Sequence, residues 1–240
     1  MKTKYGFSLA LLLGAISISS AHAHGVWIEE RHDKLEAVYG DGPLVDSYDP
    51  KKLVQASQWN GSEKSKADIH ALEKYAVISA DNADMVSVVL DNGYWTKNTS
   101  GKWINDKKSN VENPEKGQHS IKYGVYINDS KASLSGLESE MPLAITSEVN
   151  PLLVGVGKEM VLNVWLDGKP AVDVVVYADY KNMHSEILNT DKEGKVKIVV
   201  RNEGLNVIAA QANKPLVDNA DADSVSMVST LSFVAVDMKH

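Results

Sequence analysis

The sequence predicts an all-β fold of two antiparallel β-sandwich domains. Three observations carry that reading. Short stretches of alternating or β-branched residues recur along the chain; Gly-, Asp- and Pro-containing turns separate them; and no βαβ rhythm interrupts the pattern.

The elements follow in order. Gly25 to Arg31 reads as a strand, His32-Asp33-Lys34 as a turn and Leu35 to Tyr39 as the returning strand of a hairpin. Gly40-Asp41-Gly42-Pro43 and Asp49-Pro50-Lys51-Lys52 are turns, and Leu53 to Trp59 alternates as a half-buried strand should. Lys66 to Lys74, which carries His70, reads as an exposed helical turn. Tyr75 to Ser79 and Met85 to Leu90 are strands, and Asp91-Asn92-Gly93 is a turn. Tyr94 to Pro114 is a polar loop or hairpin tip, long enough to be a functional surface and bearing Trp95 and Trp103. Ser120 to Asn128 is strand-like, with a short helix as the alternative. In the second half, Leu143 to Thr146, Met160 to Leu166, Val172 to Tyr177, Val196 to Val200, Leu205 to Ala210 and Val225 to Val236 are strands. Polar Glu138-Ser139-Glu140 and Pro142 interrupt the strands, which places one domain at residues 24–141 and the second at residues 142–240.

Residues 1–23 read as a secretory signal: Lys2 and Lys4, an apolar run from Phe7 to Ile18, then small residues up to Ala23. The run is shorter than the ~20 apolar residues a spanning helix needs. The expected product is a periplasmic protein without direct membrane insertion. The 240-residue chain has a formal net charge of −7, and the leader carries only basic charge, so the mature form is more acidic still. With no cluster of Lys and Arg, nucleic acid is not an expected partner. The absence of cysteine excludes thiol catalysis, thiolate metal sites and iron–sulfur clusters, leaving nitrogen and oxygen donors with Met sulfur as an extra. No Ser-His-Asp order, phosphate loop or HExxH signature is present, so the chain reads as a binder rather than a hydrolase.

The new N-terminus is the sharpest chemical feature. Cleavage after Ala23 leaves His24 first, and its amine and imidazole close a chelate ring on one cation. One further imidazole would complete a three-nitrogen site suited to Ni(II) or Cu(II). Cleavage after Ala21 instead leaves His22-Ala23-His24, where the amine, two amides and the imidazole can wrap a square-planar ion. The metal-ligand candidates are His24, His119 and His184, with His32 and His70 expected to be ordinary surface residues. Glu29 and Glu30 point to opposite faces of their strand, so at most one can support a ligating histidine. Asp218, Asp221 and Asp223 lack the glycine and final glutamate of an EF-hand loop and read as solvated. Trp27, Trp59 and Trp165 are expected in the core.

An ordered set of strings resembles periplasmic components of nickel and cobalt uptake, the nickel uptake substrate-specific family of DUF4198 type. They are His24-Gly25-Val26-Trp27-Ile28-Glu29, Val38-Tyr39-Gly40-Asp41-Gly42, Ser47-Tyr48-Asp49-Pro50-Lys51 and Tyr94-Trp95-Thr96 in the first half. Pro142-Leu143-Ala144-Ile145, Asn150-Pro151, Leu166-Asp167-Gly168-Lys169-Pro170 and Thr190-Asp191-Lys192-Glu193-Gly194 follow in the second. The resemblance implies a second domain of transthyretin or Ig-like type. It also implies a role in presenting nickel or cobalt to a membrane metal transporter. A secreted β-sandwich beginning His-Gly also resembles copper-dependent polysaccharide monooxygenases, which makes such an enzyme, or a copper-binding chaperone, the alternative.

Overall fold

β-Branched and aromatic residues at period two, punctuated by turn residues, make strands of most of this chain. The computed structural model describes residues 24–80 and 82–236. The expected leader lies outside them, as do the side chains of Met183, His184 and Ser185.

The first hairpin is β1 (Gly25–Arg31) with β2 (Lys34–Asp41). His32 and Asp33 turn it with φ of 51° and 59°, the positive values of a primed turn that matches strand twist. Then come β3 (Leu44–Asp46), a 3-10 turn at Pro50–Lys52, β4 (Leu53–Asn60), β5 (Glu63–Lys66), β6 (Asp68–Ala71) and β7 (Ala76–Ser79). The segment around His70 is therefore a strand rather than the expected helical turn. Pairing of β6 with β7 supplies its backbone partners, and His70 Nε2 lies 2.9 Å from Ser79 Oγ.

The polar stretch expected as a loop is the tip of a long hairpin. β8 (Met85–Asn98) runs into it, β9 (Trp103–Ile104) pairs back, and β10 (Pro114–Ile127) returns. Asp91-Asn92-Gly93 is not a turn between strands but a bulge within β8, where Asn92 and Gly93 together stand opposite Ser120. Gly93, at φ +78°, supplies the backbone conformation the bulge needs. After helix α1 (Leu137–Glu140) come β11 (Leu143–Ser147), β12 (Glu159–Leu166), β13 (Lys169–Pro170), β14 (Val175–Asp179) and β15 (Met183–Asn189). β16 (Lys195–Val199), β17 (Gly204–Pro215) and β18 (Ser224–Ala235) are the remaining strands among the described residues.

These strands form three sheets among the described residues. The central one runs β15-β14-β17-β18-β10-β8-β4-β5, with β9 on β8. A sheet of β1, β2, β7 and β6, with β3 on β2, covers one face; β11, β12, β13 and β16 cover the other. The faces alternate along β10, where Tyr123, Val125 and Ile127 meet the β11–β12 side and Tyr126 the β1–β2 side. Burial on both faces explains the nearly continuous apolar runs of β8 and β18. Among the described residues, pairings are antiparallel except β10 with β18, which are parallel from Gln118 opposite Ser224 to Ile127 opposite Phe233. The central sheet thus takes strands from both sides of the junction between residues 141 and 142.

β1 is buried on both faces. Val26 and Ile28 pack with Ala56, Val86 and Val88, while Trp27 packs with Tyr177, Tyr180 and Val207. β1 is also an edge strand, and an edge carries unpaired backbone groups. Its outward carbonyls are satisfied from the central sheet: Thr230 Oγ1 donates to Val26 O at 2.7 Å, and Ser232 Oγ to Ile28 O at 2.8 Å. Gly124 permits the approach, because a Cβ there would stand 3.1 Å from Val26 O. Further along, Glu29 accepts from Trp27 Nε1 and Lys181 Nζ, each at 2.8 Å, and pairs with Arg31. Burial pushes its carboxyl up, but the donors Lys181, Trp27 and Arg31 outweigh that and hold it below the usual range.

Thr230→Val and Ser232→Ala each remove a hydroxyl with little change of shape and strand a buried carbonyl. Each should lower the unfolding free energy by about 1–3 kcal/mol. Urea denaturation checks this, and unchanged midpoints would remove the hydroxyls from the account of how β1 docks.

Candidate functional site

β1 ends at Gly25, but the central sheet continues beyond it. The uncovered sheet face forms the floor of a cleft of about 660 Å³. The floor is polar because the alternation of β10 is polar there: Lys116, Gln118, Ser120 and Lys122 all point to this face, ahead of Gly124 and Tyr126 under β1 and β2. Ser226 on β18, with Asn213 and Gln211 on β17, continue the floor on one side. Trp95 and Trp103, from β8 and β9, flank it on the other. The bulge at Asn92-Gly93 accounts for Trp95. One extra residue inverts the strand's alternation, so Trp95 joins the cleft face and Tyr94 the opposite one.

His24 and the segment Ser47 to Lys52 make the rim. His24 is held by two contacts: its Nε2 lies 2.7 Å from Asp46 Oδ2, and its ring stacks on Tyr39 with centroids 5.1 Å apart and planes 21° from parallel. Tyr39 is held in turn. Its hydroxyl accepts from Asn92 Nδ2 at 3.2 Å, and Asn92 Oδ1 accepts from Lys52 Nζ at 2.9 Å. Burial, with the charge of Asp46 behind it, pushes the Tyr39 phenol up to about 12, so it stays protonated. Tyr48 ties the rim to the first sheet, donating to Ala37 O at 2.9 Å and accepting from Ala76 N at 3.1 Å.

The structure does not bring His119 to His24. Neighbours on a strand face opposite ways, so His119 lies behind the floor that Gln118 and Ser120 form. There its Nε2 is 2.8 Å from Asp91 Oδ1 and its ring stacks on Tyr94 with centroids 4.5 Å apart. His184 is a residue of β15, its side chain outside the described residues. Glu29 is occupied by Lys181, Arg31 and Trp27. Asp221 and Asp223 are taken up by Lys107, Ser109, Lys108 and the Gly117 amide. Trp27 and Trp59 are core residues, while Trp165 is partly buried and donates to Thr146 Oγ1 at 2.8 Å. Among the described residues, no three His, Asp or Glu side chains gather as a metal-holding group.

Lys122 is the functional candidate that reading the sequence missed. It is 2% exposed, and burial pushes its ammonium down to about 8. The signal was present: a lysine within the apolar run of Ile121 to Ile127, in phase with Lys116, Gln118 and Ser120.

A family model described as a domain of unknown function, DUF4198, matches residues 21–214, and the chain belongs to that family. An uncharacterized protein of Haemophilus influenzae is 25% identical over 233 residues, covering 97% of this chain and 98% of that protein. Among solved structures, the D0-D1 domain of Intimin aligns at 10% identity over 88% of this chain and 97% of its own, with a TM-score of 0.22. Fibronectin(III)-like modules of Clostridium thermocellum CbhA align at 12% identity over 92% and 95%, with a TM-score of 0.23. At those scores neither likeness bears on the topology or the site.

The cost of burying Lys122 is measurable. Below pH 8 the residue is charged folded and unfolded, so the penalty is fully present. As pH rises from 8 toward the unfolded value, the folded state sheds its proton first and the penalty fades. Lys122→Met should therefore stabilise the protein by about 3 kcal/mol at pH 7. The gain should shrink toward pH 10 in denaturation measured across that range; a variant less stable at pH 7 would contradict it.

Proposed function

We propose that this DUF4198 protein is a periplasmic binding component for a divalent transition metal, nickel or cobalt. In this reading it grips the cation at His24 once residues 1–23 are removed, and yields it to a membrane metal transporter. The observation that supports it is how the His24 ring is held. Asp46 engages Nε2, which puts the ring proton there and leaves the Nδ1 lone pair for a metal. Nδ1 and the residue's own main-chain nitrogen are the pair that closes a chelate ring. Cleavage after Ala23 turns that nitrogen from an amide into an amine donor. Stacking on Tyr39 fixes the ring plane before the cation arrives.

Nitrogen donors in a chain without cysteine suit metals late in the divalent series. With two nitrogens from one residue, the remaining coordination positions fall to water or to groups that travel with the cation. An incomplete donor set suits cargo that must leave better than a structural ion, whose shell is closed. His119, behind the sheet, is not needed in this arrangement.

Protein recovered from the periplasm should be sequenced from its amino end and titrated with Ni(II), Co(II) and Cu(II) by calorimetry. The expected result is a chain starting at His24 whose melting temperature rises with saturating metal. Acetylating the amine or replacing His24 by Ala should abolish tight binding, and Asp46→Asn should weaken it by about tenfold to a hundredfold. A different mature start, or affinity indifferent to acetylation, overturns the reading. Oxidised oligosaccharides released with copper and a reductant would replace it with the enzyme.

A further inference from the structure

The cleft beside His24 is lined by more cationic than anionic side chains. Lys52, Lys116 and Lys122 line it against Asp49, in a chain whose formal net charge is −7. Lys122 stands at the centre of that imbalance. It is flanked in the sheet by Leu90 on one side and Val228 on the other, and no carboxylate pairs with it among the described residues. Lysines are almost never buried to this degree without a partner. A methionine would fill the position without the desolvation cost. A destabilising charge kept at the floor of an open cleft indicates a ligand that pairs with it.

The surrounding groups describe that ligand. Gln118, Ser120, Gln211, Asn213 and Ser226 offer amide and hydroxyl groups, each able to donate and accept. Trp95 and Trp103 stand across the floor from Gln211 and Asn213, and Trp103 is 41% exposed. Indole surfaces of this kind take the carbon skeleton of a polar molecule. The volume is that of a small-molecule site. We propose that the cleft binds a small hydroxylated carboxylate, its acid group on Lys122 Nζ, its hydroxyls on the amide and hydroxyl side chains, and its carbon skeleton against the tryptophans. This site goes beyond the metal reading and stands on the cleft floor without any cation.

The test uses mature protein stripped of metal on a chelating resin, so that failure of metal binding cannot be mistaken for failure here. Galacturonate, gluconate and citrate are titrated by calorimetry and tryptophan fluorescence, with galactose and glucose as neutral counterparts. A ring acid, an open-chain acid and a tricarboxylate separate the sources of the same chemistry. At least one acid should bind saturably and change the tryptophan emission, while galactose and glucose do not. Lys122→Met should lower affinity at least about thirtyfold, with a melting temperature equal to or above that of the parent, so that loss of binding is not loss of fold. Trp103→Ala should weaken the same ligand and reduce the fluorescence change. Absence of binding by all three acids, equal binding of neutral sugars, or unchanged affinity in Lys122→Met each overturns the proposal.

Discussion

An edge strand buried on both faces and along its free rim is the constraint from which the rest follows. β1 can occupy the interior only because Thr230 and Ser232 satisfy its outward carbonyls and Gly124 lets the backbone come close. Unpaired carbonyls in that position would each cost as much as a lost buried hydrogen bond. Docked in this way, β1 delivers His24 to one place at the mouth of the cleft. Trp27 and Tyr180 press from one side, and Tyr180 donates from its hydroxyl to Gly40 O at 3.0 Å, tying β2 to the same arrangement. The residue that starts the described chain is therefore positioned by side chains some two hundred positions away.

The cleft is the part of the central sheet that the smaller β1–β2 sheet leaves uncovered. A sheet face under a partner is apolar, and one facing water is polar; β10 passes from one condition to the other between Lys122 and Gly124. Lys122 sits at that transition, too deep for water to solvate its ammonium fully. Its position relates stability and recognition: the free-energy cost in the empty protein is recovered when a counter-charge enters.

Much of this was legible in the sequence. The first hairpin, the Asp167-Gly168 turn with positive φ at both residues, and the apolar runs of β8 and β18 follow from local rules of turn chemistry and alternation. What local pattern does not carry is pairing at a distance. Nothing in residues 114–127 names residues 224–235 as their neighbour, because strand register is set by which faces are buried in the finished fold. The bulge at Asn92-Gly93 looks the same as a turn when read along one strand, since glycine marks both. Misreading it hides the inversion that brings Trp95 to the cleft. His119 and His24 are equivalent as letters, and only the alternation of β10 puts them on opposite sides of a sheet. Asp46 had no signal of its own.

The parallel pairing of β10 with β18 has a consequence for when the protein becomes competent. A chain that emerges amino end first releases His24 and the strand bearing Lys122 long before β18 exists. Until that last segment follows, β10 has a bare flank, the carbonyls of β1 have no hydroxyls to meet, and the floor lacks the β17–β18 side. Such long-range closure is slow and leaves a sheet edge open to stray association meanwhile. The site is complete only once β18 has paired with β10 and met β1, and a chain cut short before β18 would lose the site along with the strand.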